Sequence, residues 1–432
     1  MFFEMVLRII KHLALVVVLV LTSGAFFNLI FDDDTGVTAA LHGDEKLQWM
    51  WAGVDLVVVI VCALYGRQLL RTASRQPLLL AFISWGLAST IWSQDPQLTI
   101  RRTLGLACTV ALGIFLGMRF EFEELCKIVA VVLAIAVIAS ILAAVFSPSL
   151  GVMTGGDSGA WRGVFVHKNT MARVIGLSVL LSICLLSETR RNRLAYLVLL
   201  LLGVGLLVRS HSMTAIVVTS LTVGVWAFLQ ARLRPAGAIA VISFLCLFTL
   251  CGMLLLQGSL AAVFELMGRD VSLTGRTELW ELSVAAILRH PFLGSGWDVF
   301  WMGPDGDTIR SLIHWQAPHA HNAFIDLSLN TGLIGLGIFL TSLADCLLRA
   351  WQYSREPRPL RLWPLVFYAY LFFYMFTETT TVDRHSLFNI LYCAISVSIT
   401  ETLRSDANEY KPGLSRSPMG LDLDSRLIQE LQ

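Results

Sequence analysis

Apolar runs long enough to cross a bilayer recur along nearly the whole chain, and no other feature limits its fold as much. A helix needs about 20 apolar residues to cross a hydrocarbon layer roughly 30 Å thick. Twelve such runs are read, over 12–31, 49–65, 77–93, 101–118, 125–146, 169–187, 194–208, 213–229, 236–256, 322–345, 363–379 and 385–401. The 432 residues are 56% hydrophobic and only 15% charged, more apolar surface than a soluble domain has interior to bury. The expected fold is therefore an all-α polytopic integral membrane protein of about 12 transmembrane helices. A net charge of +1 with no basic arm excludes nucleic acid as a partner. The eight cysteines lie within or at the ends of apolar runs, a placement for small packing residues and not for a disulfide framework or a zinc site.

Orientation follows from arginine and lysine, which are enriched in cytoplasmic connections. With the N-terminus inside, alternate connections carry Arg67, Arg71 and Arg75; Arg119 and Lys127; Arg190, Arg191 and Arg193; Arg232 and Arg234; and Arg349, Arg355, Arg358 and Arg361. Both termini are then expected to be cytoplasmic, and the polar stretch 257–321 forms one large outer loop between the ninth and tenth spans. In a bacterium that loop lies in the periplasm, and the chain is a multi-pass protein of the inner membrane. The expected organisation is a transmembrane domain over 1–401 and a polar cytoplasmic tail over 402–432. Arg8 and Lys11 ahead of an apolar run, with Ser23-Gly24-Ala25 behind it, also fit a signal peptide. An uncleaved first span is preferred because apolar character continues to Phe31.

Positive residues on the outer side stand against the charge rule. They are Lys46, Arg101, Arg102, Arg162, Lys168, Arg209, Arg269, Arg276, Arg289, Arg310 and Arg384, with Arg173 just inside a span. Snorkelling from helix ends accounts for any one of them. Together they offer guanidinium groups from different spans at similar depth, which suits the oxygens of a lipid phosphate or diphosphate.

Four stretches carry the sequence's motifs. Ser84 to Pro96 (SWGLASTIWSQDP) closes the third run, and Arg101-Arg102 follows. Trp161 to Asn169 (WRGVFVHKN) opens the sixth. The large loop holds Gly275-Arg276 and His290 to Trp297 (HPFLGSGW). His321-Asn322 opens the tenth run, with Thr331-Gly332-Leu333-Ile334-Gly335 inside it. In this order they resemble the O-antigen ligase and polymerase family of the bacterial cell envelope (the Wzy/WaaL superfamily), most of all its exopolysaccharide polymerase branch. The resemblance covers about Ser84 to Gly335. It implies a GT-C-like membrane fold, and transfer of a glycan from an undecaprenyl-diphosphate-linked oligosaccharide on the periplasmic face. It also implies chemistry without metal or other cofactor, with Arg276 and His321 as the essential pair. The partners implied are the carrier-linked glycan, membrane lipids, and chain-length regulator and export proteins. One departure is Asn330, where relatives often carry a glutamate; its role would pass to Asp326 or Glu278.

The residues support that chemistry. Arg276 keeps its charge and forks onto phosphate oxygens; otherwise it pairs with Glu278 or Glu281 on a surface helix. His321 suits a general base, because imidazole as a group titrates near neutrality, with His319 as its competitor. Candidate substrate-binding residues at the ends of other spans are Arg101, Arg102, His167, Lys168, Asn169, Arg209 and Asn322. Asp32-Asp33-Asp34 and the Asp305/Asp307 pair are weak candidates for a metal site, and Asp305 beside Gly306 reads as a turn. Three functions stay open: a repeat-unit polymerase, a ligase that moves finished glycan onto lipid A core, and a transporter. A transporter places charge deep in its spans, where this chain has chiefly Asp55 and Arg173.

Overall fold

The computed structural model describes residues 2–27, 45–154, 157–188, 191–231, 276–313, 316–356, 358–379 and 383–409. The expected span 236–256, the loop up to residue 275, Asp32 to Asp34 and the tail from 410 lie outside the described residues. Thirteen helices carry the description: α1 (Phe2–Thr22), α2 (Glu45–Ala73), α3 (Pro77–Ala88), α4 (Pro96–Arg119), α5 (Phe122–Phe146), α6 (Lys168–Glu188), α7 (Arg193–Arg209), α8 (Met213–Ala231), α9 (Arg276–Arg289), α10 (Pro304–Leu312), α11 (Ala323–Tyr353), α12 (Trp363–Met375) and α13 (Leu387–Glu409). Six of them, α2, α4, α5, α6, α8 and α11, are long and apolar enough to cross a membrane. The remaining expected runs inside the described residues fall on α1, α3, α7, α12 and α13. Among the described residues the extended structure amounts to a single bridge between Val152 and Trp161.

Local chemistry sets the helix starts. Pro77 and Pro96 open α3 and α4 at positions where the missing N–H costs nothing. The Asp95 carboxylate accepts from Leu98 N–H at 2.9 Å and caps α4. The Asn322 side chain does the same for α11, accepting from Phe324 and Ile325 N–H at 3.0 and 3.2 Å.

In lipid, helices associate through close packing because the surroundings are as apolar as the helix faces. α4 meets α13 along Gly113 and Gly117, and one and two turns earlier Thr109 and Gly105 face Arg384 and His385, just ahead of α13. A Cβ on Gly113 would lie 2.6 Å from Cys393 Cβ and 2.7 Å from the Ile390 carbonyl. Thr109 Oγ1 accepts from His385 N–H at 2.8 Å on the same line.

α11 is broken at Gly332, whose φ of 66° is left-handed. A break at membrane depth survives only when protein satisfies the freed backbone groups. Here the segment 290–297 does so. Leu333 N–H donates to the Pro291 carbonyl at 2.8 Å, while Ser295 and Gly296 N–H donate to the Leu329 and Asn330 carbonyls at 2.9 and 3.0 Å. Trp85 Nε1 covers the Thr331 carbonyl at 3.0 Å. The HPFLGSGW motif is thus a splint for the broken helix.

Polar groups gather at the two ends of the bundle. One end joins Arg75 to Glu401 at 2.6 Å, and Arg349 to Thr400 and Gln76 at 2.6 and 3.0 Å. The other end carries α9, α10 and the starts of α4, α6 and α11.

Candidate active site

The described part of the large loop folds on a small core of its own. Leu279, Ala286, Phe300, Trp301, Ile309, Ala317, Ala320 and Leu329 are buried together. This core seats α9 and α10 on the start of α11, so Arg276 and His321 are held by packing and do not hang from a free loop. Trp280 Nε1 donates to the Ala320 carbonyl at 2.8 Å, immediately before His321.

Asp326, 2% exposed, is the clamp beneath this corner. Its carboxylate accepts from Trp301 Nε1 at 2.7 Å, from Ala320 N–H at 3.0 Å, and from the Thr379 hydroxyl. Asn330 accepts from Phe300 N–H at 3.1 Å and donates to the Asp326 carbonyl at 2.8 Å. The Asn330 departure therefore leaves a neutral amide that ties loop to helix, and the nearest buried carboxylate on α11 is Asp326. Glu278 is exposed on α9 and takes no part in this corner.

Three side chains from distant parts of the sequence meet above it. His321 Nδ1 lies 3.3 Å from Glu378 Oε2. Arg276 Nη2 lies 3.9 Å from Glu378 Oε1, and its Nη1 donates to the Thr377 carbonyl at 3.2 Å. Arg276 thus pairs with Glu378 across the site instead of with Glu278 or Glu281. His321 holds a left-handed φ of 51°, an unusual conformation for a side-chain-bearing residue and one that concentrates at functional sites.

The two histidines differ in environment. His319 Nδ1 accepts from His321 N–H at 3.1 Å. Burial, reinforced by the charges of His321 and the nearby arginines, pushes His319 down to about 3, so it is neutral near pH 7. Burial alone would raise the Glu378 carboxyl. The hydrogen bond from His321 and the surrounding positive charge outweigh it and hold Glu378 at about 2. An ionised Glu378 favours the His321 tautomer that carries its proton on Nδ1, which leaves the Nε2 lone pair free.

His319, His321 and Glu378 each offer one ligand atom within 4.8 Å of the others, spacing that could hold a cation. The His319 Nδ1 lone pair is already used by a backbone N–H, and Arg276 stands beside Glu378, so the geometry suits proton transfer better than ligation. A separate cavity of about 20 Å³, room for roughly one water, lies deep in the bundle against Phe82, Val110, Phe339, Ser342 and Tyr392. None of these site residues lines it.

The other candidates divide. His167 lies within electrostatic reach of Glu378 and His321. Its neighbour Lys168 is held by Asp157 at 2.5 Å, and Asn169 accepts from Ser212 Oγ at 2.9 Å. Arg209 is exposed and covers the Trp161 ring at 4.9 Å. Arg101 donates to Gln48 Oε1 at 3.3 Å. Arg102 is pinned to Asp298, which also binds Arg384. Arg162 and Arg310 are turned onto backbone carbonyls. Asn322 is a helix cap. Asp305 and Asp307 stand in the first turn of α10, not in a free turn, and pair with Arg289 at 3.1 Å and Arg310 at 2.5 Å. Much of the outer positive charge is thus already bound within the protein.

Sequence reasoning missed Glu378. A signal was present: it is a carboxylate in the last turn of the eleventh apolar run, 363–379, at the end that alternation assigns to the same side as the loop.

Comparison with known proteins gives the context. Residues 195–340 match the family model for O-antigen ligase, a stretch that contains Arg209, Arg276, His319, His321 and Asp326. The chain is 26% identical over 237 residues to the exopolysaccharide production protein ExoQ of Rhizobium meliloti (strain 1021). That match takes in 51% of this chain and 54% of the relative, so the chain spans about half the length of the curated relative it matches. The chain is thus an all-helical membrane protein with several bilayer-length helices, and its residues 195–340 are similar to the O-antigen ligase family.

Proposed function

We propose that the protein polymerises undecaprenyl-diphosphate-linked oligosaccharide repeat units on the periplasmic face of a bacterial inner membrane, in exopolysaccharide synthesis. The observation that carries this reading is the convergence of Arg276, His321 and Glu378 above one buried clamp. In the reaction, His321 Nε2 takes the proton of an acceptor sugar hydroxyl. The hydroxyl oxygen bonds to the anomeric carbon of the donor from the face opposite the leaving group. The bond from that carbon to the diphosphate oxygen breaks, with inversion, and the carrier diphosphate departs with the electron pair. Arg276 stabilises the charge that builds on the departing oxygens. Glu378 is a positioning residue: it holds the imidazole and offsets the imidazolium that forms. No divalent cation enters the scheme. Chain-length regulator and export proteins are the partners such a polymerase would serve.

The family description supports a second reading, ligation of finished glycan onto a lipid A core. The accumulating product separates the two. Loss of a polymerase leaves single repeat units on the carrier, and loss of a ligase leaves polymer there. In a deletion strain, Arg276→Ala and His321→Ala are each expected to reduce product by roughly 100-fold or more. Glu378→Gln should lower kcat with little change in KM. Full product from both alanine variants would remove the assignment.

A further inference from the structure

Asp157 lies between Val152 and Trp161, which pair across the isolated bridge. Two further backbone bonds hold this stretch. Met153 N–H donates to the Ala160 carbonyl at 2.8 Å, and Ala160 N–H donates to the Asp157 carbonyl at 3.1 Å. The Asp157 carboxylate reaches the first turn of α6. Its Oδ1 takes the ammonium of Lys168, which is 5% exposed, at 2.5 Å. Its Oδ2 accepts no hydrogen bond from any described residue and lies 3.9 Å from His167 Nε2. A buried ammonium thus fixes the carboxylate in place and leaves one of its oxygens open.

His167 is the matching donor. Its Nδ1 accepts from Asn169 N–H at 3.2 Å. An imidazole that accepts at Nδ1 is neutral and carries its proton on Nε2. That Nε2–H stands beside Asp157 Oδ2 at a distance too long for a direct hydrogen bond. Both side chains are open to solvent, His167 at 43% and Asp157 at 38%. The pair therefore presents one donor and one acceptor, the first set by the start of α6 and the second by a buried lysine. His167 also bears electrostatically on Glu378 and His321, so the pair borders the candidate active site.

What suits this pair is a group that both donates and accepts. A phosphate oxygen is repelled by the carboxylate, and an ammonium leaves the Nε2–H unmet. A hydroxyl oxygen about 2.8 Å from each atom satisfies both. In a lipid-linked glycan, groups of that chemistry are on the sugars. We infer that Asp157 and His167 form a hydroxyl-binding subsite for the glycan of the carrier-linked substrate, with Asp157 Oδ2 accepting from a sugar hydroxyl and His167 Nε2 donating to it. This deepens the proposed function and rests on it. The subsite recognises the sugar and not the diphosphate, and so contributes to the choice of repeat unit.

The test uses purified full-length protein in nanodiscs of phosphatidylcholine, whose headgroup carries no hydroxyl, with binding followed by tryptophan fluorescence. The probes are the carrier-linked glycan extracted from the deletion strain and bare undecaprenyl diphosphate. Wild type is expected to prefer the glycosylated carrier. In His167→Asn the side-chain oxygen can still accept from Asn169 N–H, but the donor at the Nε2 position is gone. That variant should narrow the preference by roughly 5- to 10-fold, through weaker binding of the glycosylated carrier alone, the size of one hydrogen bond. His167→Gln places an amide N–H near the Nε2 position and should keep most of the preference, which a merely structural histidine does not predict. Asp157→Asn should narrow the preference as His167→Asn does. Should it not fold because Lys168 loses its counter-charge, the two His167 variants decide. An unchanged preference in His167→Asn, an equal loss in His167→Asn and His167→Gln, or equal weakening towards both probes overturns this inference and leaves the proposed function standing. Absence of carrier-linked glycan in the deletion strain, or wild type that binds none of it, overturns both.

Discussion

His319 and His321 are separated by one residue and have opposite duties. His319 is buried, held down to about 3, and spends Nδ1 on the backbone of His321. Its unfolded-state value is the ordinary 6.5, so the unfolded chain takes up a proton that the fold refuses. Between about 6.5 and 3 the unfolded state binds more protons, and stability falls as pH falls, by at most about 1.4 kcal/mol per pH unit. Glu378 acts in a lower window: its stabilisation is complete above about 4.5 and is lost as pH drops towards 2. Melting in detergent between pH 7 and 5 should therefore report His319 and not Glu378. His319→Gln keeps an acceptor for the His321 N–H and cannot charge. Its melting temperature is expected to decline less over that range than wild type; an equal decline would show that His319 does not carry the effect. Arg276 and His321 could be named as candidates from the sequence because both sit in recognisable motifs. Glu378 could not, because its place at the end of the eleventh apolar run does not say that it meets a histidine 57 positions earlier.

At the scale of elements, helix positions follow from composition and helix breaks do not. The apolar runs and the prolines at 77 and 96 place most helices, since a bilayer permits little else and proline suits a first turn. The break in α11 has a different cause. Gly332 is left-handed, and a Cβ there would strike the Phe292 carbonyl. Gly332→Ala is expected to destabilise the protein by about 1–3 kcal/mol from backbone strain alone, with the steric clash added. Gly53, whose added Cβ meets nothing within 4 Å, supplies the control as Gly53→Ala. Thermal melting of the two variants compares them, and equal melting would mean that the break is not needed. The break matters for function because its splint, residues 290–297, fixes one side of the loop that presents Arg276 and His321.

For the whole molecule, the arrangement of charge divides the bundle. The end tied by Arg75, Glu401 and Arg349 is rich in connecting arginines, and the end with Arg276 and His321 holds the site. By the charge rule we propose that the first faces the cytoplasm and the second the periplasm. In a cysteine-free background, Ser311→Cys on α10 is expected to react with an impermeant maleimide in intact cells. Gln352→Cys near the end of α11 should react only after permeabilisation. Reversed labelling would overturn the outward assignment of the site, and with it the choice of a lipid-linked donor.

The sequence by itself determined that the chain is helical and membrane-embedded, because hydrocarbon leaves a long apolar chain few other ways to satisfy its backbone. It also named Arg276 and His321 as candidates, which the fold brings to one carboxylate, Glu378. Only the tertiary structure decided which charges are available. Arg102, Arg162 and Arg310 look in sequence like ligands for an anion, yet in the fold each is consumed by a carbonyl or a carboxylate. Arg173 looks like a snorkelling residue, yet its guanidinium lies over the Phe388 ring and its buried Nε has no hydrogen-bond partner among the described residues. Availability of a charge depends on what lies within a few ångströms, and residues far apart along the chain supply that surrounding.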